Sequence, residues 1–303
     1  MAGLRVCSVL VTGANRGIGL GLVRHFLGMQ NPPKWVFATC RDPKGQRAQD
    51  LQNVASNHAN LVIIPLEVTD PTSIKAAAAR VGEHVGGSGL NLLINNAGMV
   101  INNTLDDETP ENMTQIYTTN TVGPLLLGQA FLPLLKKAAQ GSPGSGLSCS
   151  KAAIINISSC GGSITSPSGW DLLQVVSYRC SKAALNMLTK CQSLGYRAHG
   201  VLCAALHPGW VQTDMGDSVG NMVGVSPRRV HRSPWDGFPV GGSRCPEPLP
   251  APSPALVLGA CGPHPLGSPG APSGSCPWPR LLQGSPWPAP AGAASPPPPR
   301  RPP

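Results

Sequence analysis

The sequence lacks the long apolar runs and the leader segment that would place it in a membrane or outside the cell. No apolar stretch in its 303 residues approaches the roughly 20 residues that a membrane-spanning helix needs. The run from Leu4 to Val11 leads straight into a glycine turn, without the charged segment and cleavage site of a secretory signal. We therefore expect no membrane partner and a cytoplasmic location.

Metal-binding and disulfide spacings are also missing, although the chain contains ten cysteines. None of them forms a C-x-x-C pair, and no group of Cys and His has the spacing of a zinc site. Scattered thiols of this kind are typical of free cysteines in a reducing compartment. We expect neither a metal site nor a disulfide framework.

Charged residues are scarce, at 12% of the chain, and the net charge of +9 is unevenly distributed. From Pro227 onward there are seven Lys/Arg and two Asp/Glu, a net of +5, which leaves +4 for the rest of the chain. A basic balance raises the question of nucleic acid. Because no RNA- or DNA-binding motif accompanies it, we expect no nucleic-acid partner.

The composition changes abruptly in the C-terminal part, where 23 of the 34 prolines lie from Pro227 onward. Proline-rich sequence with few large apolar residues buries too little surface to offset the entropy of ordering. We therefore predict a folded domain over residues 1–222 and a disordered tail over 223–303. A polyproline ligand for an SH3- or WW-type partner is the alternative to a solvated tail, and the solvated tail is the simpler interpretation.

Residues 1 to about 215 alternate short β-rich runs with helical patterns. This alternation predicts an α/β fold with a Rossmann-type, doubly wound parallel sheet covered on both faces. Helical spacing is clearest over Gly17–Met29, from Thr109 toward Ala139, and over Val175–His199. No seventh strand follows the sixth, which we therefore expect to be an exposed edge. The predicted strands are Arg5–Val11, Trp35–Thr39, Leu61–Leu66, Asn91–Asn95, Ala152–Ser158 and Val201–Leu206.

The first motif, Thr12-Gly13-Ala14-Asn15-Arg16-Gly17-Ile18-Gly19, follows a strand and opens a helix. Glycines permit a tight turn and a close backbone approach, and the helix N-terminus attracts a pyrophosphate. Its first two glycines are farther apart than in G-x-G-x-x-G, so the prediction of a dinucleotide site depends on the strand-before and helix-after context. The predicted coenzyme contacts in this motif are Gly13, Asn15, Arg16, Gly17, Ile18 and Gly19.

Charge at the end of the second strand indicates which coenzyme the site takes. That strand ends Thr39-Cys40-Arg41, where an acid would hold the ribose 2′-hydroxyl of NAD. Arg41 and Arg16 can instead face a 2′-phosphate, which guanidinium groups suit well. We predict NADP(H), while Asp42 is the counter-evidence because it could bind the ribose of NAD.

Tyr178-Arg179-Cys180-Ser181-Lys182 places a tyrosine and a lysine four residues apart on a predicted helix, hence on one face. A free tyrosine, with a pKa of about 10, is a poor acid-base catalyst near neutrality. A neighbouring ammonium group lowers that pKa, which favours a catalytic pair over two surface residues when the glycine turn is also present.

With these motifs in order, the chain resembles the short-chain dehydrogenase/reductase family over about Arg5 to Met215. Tyr178 and Lys182 match its Y-x-x-x-K pair, and Asn120 matches its helix asparagine. The resemblance makes Asn120, Ser159, Tyr178 and Lys182 catalytic, with Ser159 chosen over Ser158 because the family uses the second serine of such a pair. It also implies coenzyme contacts from Tyr178 and Lys182 themselves and from Glu67, Val68, Asn96, Ala97, Gly98, Pro208, Gly209, Val211 and Thr213.

A closer resemblance is to the sniffer and C-factor-type carbonyl reductases, carried by Leu125–Ala139, Ile154–Ser159 and His207–Gly216. It implies NADPH-dependent reduction of a small carbonyl substrate, a ketone, aldehyde or quinone, with Tyr178 as the general acid. Trp170 and Leu172 either line the substrate site or pack its loop onto the body of the domain.

The resemblance stops after Gly216, where a substrate-loop helix and a seventh strand would follow. The alternative function is therefore that of a truncated, splice-variant-like protein with little activity, which retains coenzyme binding or acts only through partners. Family members often form dimers, so a homodimer is one arrangement left open.

Overall fold

The computed structural model describes residues 5–142, 146–165, 169–171, 173–209, 211 and 213–215. The predicted tail over 223–303, the end of the folded domain at residue 222, the absence of a seventh strand and the position of Leu172 all lie outside the described residues.

Six parallel strands form one sheet in the order β3-β2-β1-β4-β5-β6. This order confirms the predicted doubly wound sheet, because the chain runs outward from β1 in one direction and then in the other. In the register of the centre, Leu10 of β1 lies opposite Phe37 of β2 and Leu93 of β4. The strands are β1 Ser8–Thr12, β2 Trp35–Cys40, β3 Leu61–Pro65, β4 Leu92–Asn95, β5 Ala153–Ile157 and β6 Leu202–Leu206.

Among the described residues, six α-helices connect the strands, and a side chain caps the first turn of two of them. The Asp70 carboxylate accepts hydrogen bonds from the N–H groups of Thr72 and Ser73, and Thr109 accepts one from Asn112. The prediction missed α2, a seven-residue helix that buries only Leu51. The helices are α1 Gly17–Leu27, α2 Gln49–Ala55, α3 Pro71–Val85, α4 Pro110–Tyr117, α5 Gly123–Gly141 and α6 Val176–Gly195.

Two apolar cores lie on the two faces of the sheet. One includes α1 and α2 side chains and is represented by Val11, Phe26 and Leu51. The other includes α3 and α5 side chains, with Phe37 and Phe131 fully buried. Truncating Phe37 or Phe131 to alanine would cost about 3–5 kcal/mol of stability. Close packing on both faces of the sheet thus holds the strand ends in fixed positions.

The helix predicted from Thr109 toward Ala139 is not continuous. A π-helical turn, Thr118–Val122, separates α4 from α5 and contains the buried Asn120. One extra residue in a helical turn changes which side chains face the sheet, and such turns are frequent at functional sites. The predicted long helical segment is therefore present, and the π-turn within it was not predicted.

The strand β6 pairs with β5 alone among the residues that the structure describes, as the predicted edge position requires. Within those residues, no helix is both long and apolar enough to cross a membrane.

Candidate active site

A cleft of about 820 Å³ opens beside the carboxyl ends of β1, β2 and β3, where the strand order reverses around β1 and β4. Ligands of doubly wound sheets bind at this switch point. Most of the predicted site residues line the cleft: Gly13, Asn15, Arg16, Gly17, Ile18, Arg41, Glu67, Val68, Asn96, Ala97, Gly98, Tyr178, Lys182, Pro208 and Thr213.

The glycine turn is built so that only glycine fits at its key positions. Gly13 has φ +62°, and a Cβ there would lie 3.0 Å from the Cα of Ala97. A Cβ on Gly19 would collide with the carbonyl oxygen of Gly13 and lie 2.6 Å from the amide nitrogen of Asn96. The absence of a side chain at Gly19 therefore lets the turn pack against the motif after β4. Gly19 does not itself line the cleft.

Thr12 and Asn96 join the glycine turn to the end of β4. The Thr12 hydroxyl accepts hydrogen bonds from the N–H groups of Asn96 at 3.0 Å and Ala97 at 2.9 Å. The Asn96 side-chain amide donates to the carbonyl of Thr12 at 2.8 Å and to that of Gly13 at 3.2 Å. Both walls of this part of the cleft are thus fixed to each other before any ligand arrives.

Three arginine side chains line the cleft. Arg16 forms an ion pair with Asp214 at 2.7 Å, and Arg41 lies 3.9 Å from Glu67. Arg47, which the sequence analysis missed together with α2, is a third guanidinium in the lining. All three arginines are exposed, so their side chains can turn toward an anionic ligand.

Asp42 also lines the cleft, but its carboxylate is engaged within its own turn. It accepts hydrogen bonds from the N–H groups of Lys44 at 3.1 Å and Gly45 at 2.9 Å. A carboxylate held by its own turn is less available to a ribose hydroxyl. This arrangement weakens the counter-evidence for NAD.

Tyr178 and Ser159 hold the reactive hydroxyl groups of the site. The Ser159 oxygen accepts a hydrogen bond from the N–H of Gly161 at 3.0 Å. Burial raises the pKa of Tyr178, while the neighbouring Ser159 hydroxyl opposes that rise. Ser158 lines the cleft and donates to Asn186 at 2.7 Å, so the choice of Ser159 over Ser158 stays a prediction.

Lys182 lies one helical turn after Tyr178 and is buried. Its Nζ is 5.5 Å from the centre of the Tyr178 ring and donates to the carbonyl oxygen of Ile157 at 2.7 Å. Burial lowers its pKa from 10.5 to about 8. The group can therefore gain and lose a proton close to neutral pH.

Asn120 stands behind this pair and does not line the cleft. Its side chain accepts from the N–H of Met99 and donates to the Met99 carbonyl, both at 2.9 Å, and donates to the Ser181 hydroxyl at 3.0 Å. A Cβ on Gly98 would lie 3.2 Å from the Asn120 oxygen and 3.8 Å from Lys182 Nζ. The π-turn thus brings Asn120 close to the catalytic helix.

Several predicted residues lie at the margin of the site. Gly209 and Val211 are described but are not among the cleft-lining residues, and Ser159 borders the cleft through Tyr178. Trp170 packs against the guanidinium of Arg179, whose Cζ is 5.6 Å from the ring centre. That contact favours the packing role that the sequence analysis left open for Trp170.

A doubly wound parallel sheet, with a glycine turn at its switch point and a Tyr-Lys pair facing it, defines an oxidoreductase of the α/β class. The chain belongs to the short chain dehydrogenase family, whose model matches residues 8–224. Among curated relatives, the short chain dehydrogenase gsfK of Penicillium aethiopicum is 35% identical over 210 residues, which cover 69% of this chain and 77% of the relative.

Among solved structures, the chain is similar to carbonyl reductases. The NADPH-bound carbonyl reductase from chicken fatty liver is 73% identical, with a TM-score of 0.70, over 71% of this chain and 80% of that one. The carbonyl reductase Sniffer of D. melanogaster is 38% identical, with a TM-score of 0.67, over 70% of this chain and 84% of that one. The resemblance to carbonyl reductases is thus confirmed over about seven-tenths of the chain.

Proposed function

We propose that the protein is an NADPH-dependent reductase that converts a ketone, aldehyde or quinone carbonyl to an alcohol. The observation that carries the proposal is the Tyr178–Lys182 pair, with Lys182 buried and Ser159 close to the Tyr178 hydroxyl, in a cleft beside a glycine turn. The Tyr178 and Ser159 hydroxyls can bind one carbonyl oxygen from two sides. The similarity to an NADPH-bound carbonyl reductase supports the same reaction.

The residues of the cleft fit a dinucleotide with a 2′-phosphate. Glycine at positions 13 and 17, both with positive φ, lets the backbone N–H groups approach a pyrophosphate at the start of α1. Arg16, Arg41 and Arg47 in the cleft lining provide cations for a 2′-phosphate. The Asp42 carboxylate is hydrogen-bonded within its own turn, so it is less available to bind the ribose hydroxyls of NAD.

The chain's own residues then divide the work of reduction. Reduced nicotinamide, when bound, supplies the hydride that reaches the carbonyl carbon. Ser159 donates a hydrogen bond to the carbonyl oxygen, and Tyr178 transfers its hydroxyl proton to that oxygen as negative charge develops there. Burial raises the pKa of Tyr178 in the structure, which corrects the lowered pKa that the Tyr-Lys spacing predicted. Tyr178 therefore holds its proton at neutral pH and gives it up only as negative charge develops on the carbonyl oxygen.

Lys182 and Asn120 support that step from behind. Lys182, with a pKa of about 8, can return a proton toward Tyr178 and exchange it with solvent near neutral pH. We assign Asn120 to the same relay because it connects the Met99 backbone with Ser181, the residue before Lys182. The cytoplasmic location and the homodimer stay predictions.

Thermal unfolding of the purified full chain, with NADPH and with NADH, tests the coenzyme part of the proposal. A coenzyme at about 100 times its Kd adds about 2.7 kcal/mol of stability, so NADPH should raise Tm clearly more than NADH. Carbonyl compounds are then screened by the loss of reduced-nicotinamide absorbance. A cooperative transition that neither coenzyme moves contradicts the proposal, and a shift without turnover of any carbonyl indicates the alternative of coenzyme binding with little activity.

A further inference from the structure

The helix that carries Tyr178 and Lys182 begins without a cap of its own. Its N-cap residue is Val175, whose side chain cannot accept a hydrogen bond, and whose backbone is left-handed, with φ 38° and ψ 55°. A β-branched residue in this conformation is a true outlier. Strain of this kind persists only where the surroundings determine the conformation, and it collects at active sites.

Glu108, in the loop before α4, supplies the missing cap. One carboxylate oxygen accepts from the N–H of Ser177 at 2.9 Å and from the side-chain amide of Asn103, and the other accepts from the N–H of Thr109 at 2.9 Å. These contacts and the neighbouring Ser177 hydroxyl keep the pKa of Glu108 below its usual value, although burial acts in the opposite direction. A carboxylate near a helix N-terminus is favoured both by the free N–H groups and by the helix dipole.

The same loop fixes the residues just before the helix. The carbonyl of Asn103 accepts from the N–H of Val175 at 3.0 Å, and Asn103 is itself buried. The N–H of Leu105 donates to the Gln174 side chain at 2.8 Å. The loop therefore holds consecutive residues from Gln174 to Ser177, which explains how Val175 is kept in its unfavourable conformation.

Ser177 is the residue before Tyr178, so the position of the Ser177 backbone determines where the Tyr178 side chain starts. The Tyr178 hydroxyl must reach Ser159, which belongs to a different segment after β5. A displacement of the first turn of α6 moves one hydroxyl and leaves the other in place. Catalytic geometry of this kind tolerates little error, since a misplacement of about 1 Å can cost about a hundredfold in rate.

We propose that Glu108 is a positioning residue for Tyr178, which it holds within reach of Ser159 by capping α6 from the loop before α4. The expected fall in kcat rests on the proposed function, whereas the expected displacement of Tyr178 does not. Among the described residues, the Glu108 carboxylate accepts from Asn103, Thr109 and Ser177, none of which lines the cleft. Its loss should therefore change coenzyme binding little.

The neighbouring Asp107 provides a matched control. Its carboxylate accepts from the N–H and hydroxyl of Thr104, within the same loop, and it is exposed. Glu108→Gln keeps the size of the side chain but places an amide donor where the carboxylate accepts from several donors. Asp107→Asn makes the same chemical change one residue away, and Glu108→Ala removes the cap altogether.

The first measurement is the NMR signal of tyrosine Cζ in the full chain labelled at that carbon. The chain has three tyrosines, and Tyr178→Phe identifies the signal of Tyr178. The second measurement is steady-state kinetics with NADPH and a carbonyl substrate, together with the Kd for NADPH. We expect both Glu108 variants to move the Tyr178 signal and to lower kcat by about tenfold to a hundredfold, with the Kd for NADPH nearly unchanged.

An unchanged Tyr178 signal and kcat in folded Glu108→Gln protein, equal to those of Asp107→Asn, would overturn the proposal. A fall in kcat with no movement of the Tyr178 signal would overturn it as well. If Glu108→Ala does not fold, Glu108→Gln decides. If the unmodified chain reduces no carbonyl, the proposed function fails, and the NMR comparison still decides whether Glu108 positions Tyr178.

Discussion

The Nζ atom of Lys182 lies 5.5 Å from the centre of the Tyr178 ring, one turn farther along α6. Lys182 is buried, and its Nζ donates a hydrogen bond to the neutral carbonyl of Ile157. Burial without a carboxylate partner disfavours the charged form, which is the physical reason for a pKa of about 8.

This burial predicts how stability changes with pH. Between about pH 8 and pH 10.4 the unfolded chain still carries the Lys182 proton, whereas the folded protein has lost it. Because the unfolded state binds more protons, the free energy of unfolding should rise with pH across this window. The contribution of Lys182 is at most about 3 kcal/mol.

Denaturant unfolding of the unmodified chain and of Lys182→Met across this pH range measures that contribution. Other groups titrate in the same range, so the difference between the two proteins is the relevant quantity. We expect the stability of the unmodified chain to rise relative to that of the methionine variant as pH increases. A pH-independent difference would mean that Lys182 is not desolvated as the structure indicates.

Gly19 provides a test of the glycine turn. Gly19→Ala places a Cβ against the carbonyl of Gly13 and the amide of Asn96, which must displace the turn that faces the coenzyme. We expect the Kd for NADPH to rise by at least about tenfold, equivalent to about 1.4 kcal/mol.

Gly21→Ala is the matched control for this substitution, because it lies in the same helix and a Cβ there meets nothing within 4 Å. We expect it to leave binding unchanged and to add about 0.5–1 kcal/mol of stability through its better helix propensity. Equal NADPH affinities in the two variants would contradict the described packing of the turn.

Arg41 is expected to contribute to the preference for NADPH over NADH. Its partner Glu67 is 3.9 Å away and both side chains are accessible, so a 2′-phosphate can compete for the guanidinium. Charge-assisted hydrogen bonds contribute about 1.5–3 kcal/mol. Arg41→Ala should therefore weaken NADPH binding by about tenfold or more and leave NADH binding nearly unchanged, as measured by titration of each coenzyme.

Arg24→Ala, in the last turn of α1 and outside the cleft lining, controls for the loss of a positive charge. If Arg41→Ala weakens both coenzymes equally, Arg41 supports the site in general and does not recognise the phosphate.

The strands and the site motifs could be recognised because each depends on a short-range sequence pattern. Strand Leu61–Pro65, for example, is a short β-rich run, and α3 follows Asp70-Pro71, a pair typical of a helix start. Helix α2 was missed because it is short and buries one side chain, Leu51. Arg47 was missed for the same reason, because it lines the cleft from the turn that leads into α2.

Long-range contacts explain the rest of what the sequence did not reveal. The pattern around Asn120 is compatible with an ordinary helix, and the π-turn accompanies contacts of Asn120 with Met99 and Ser181. The left-handed Val175 contradicts the local preference of valine and is held by the distant Asn103. Likewise, the ion pair of Arg16 with Asp214 joins residues 198 positions apart.

The measurement that tests the central claim most directly compares Tyr178→Phe with Tyr117→Phe in NADPH-dependent carbonyl reduction. Tyr117 is 45% exposed at the end of α4, so its variant controls for the loss of a tyrosine hydroxyl. We expect Tyr178→Phe to lower kcat by about 10²–10⁴-fold, the usual contribution of a general acid, with NADPH still bound, and Tyr117→Phe to keep full activity. Carbonyl reduction by Tyr178→Phe at the rate of the unmodified chain would contradict the assignment of Tyr178 as the general acid.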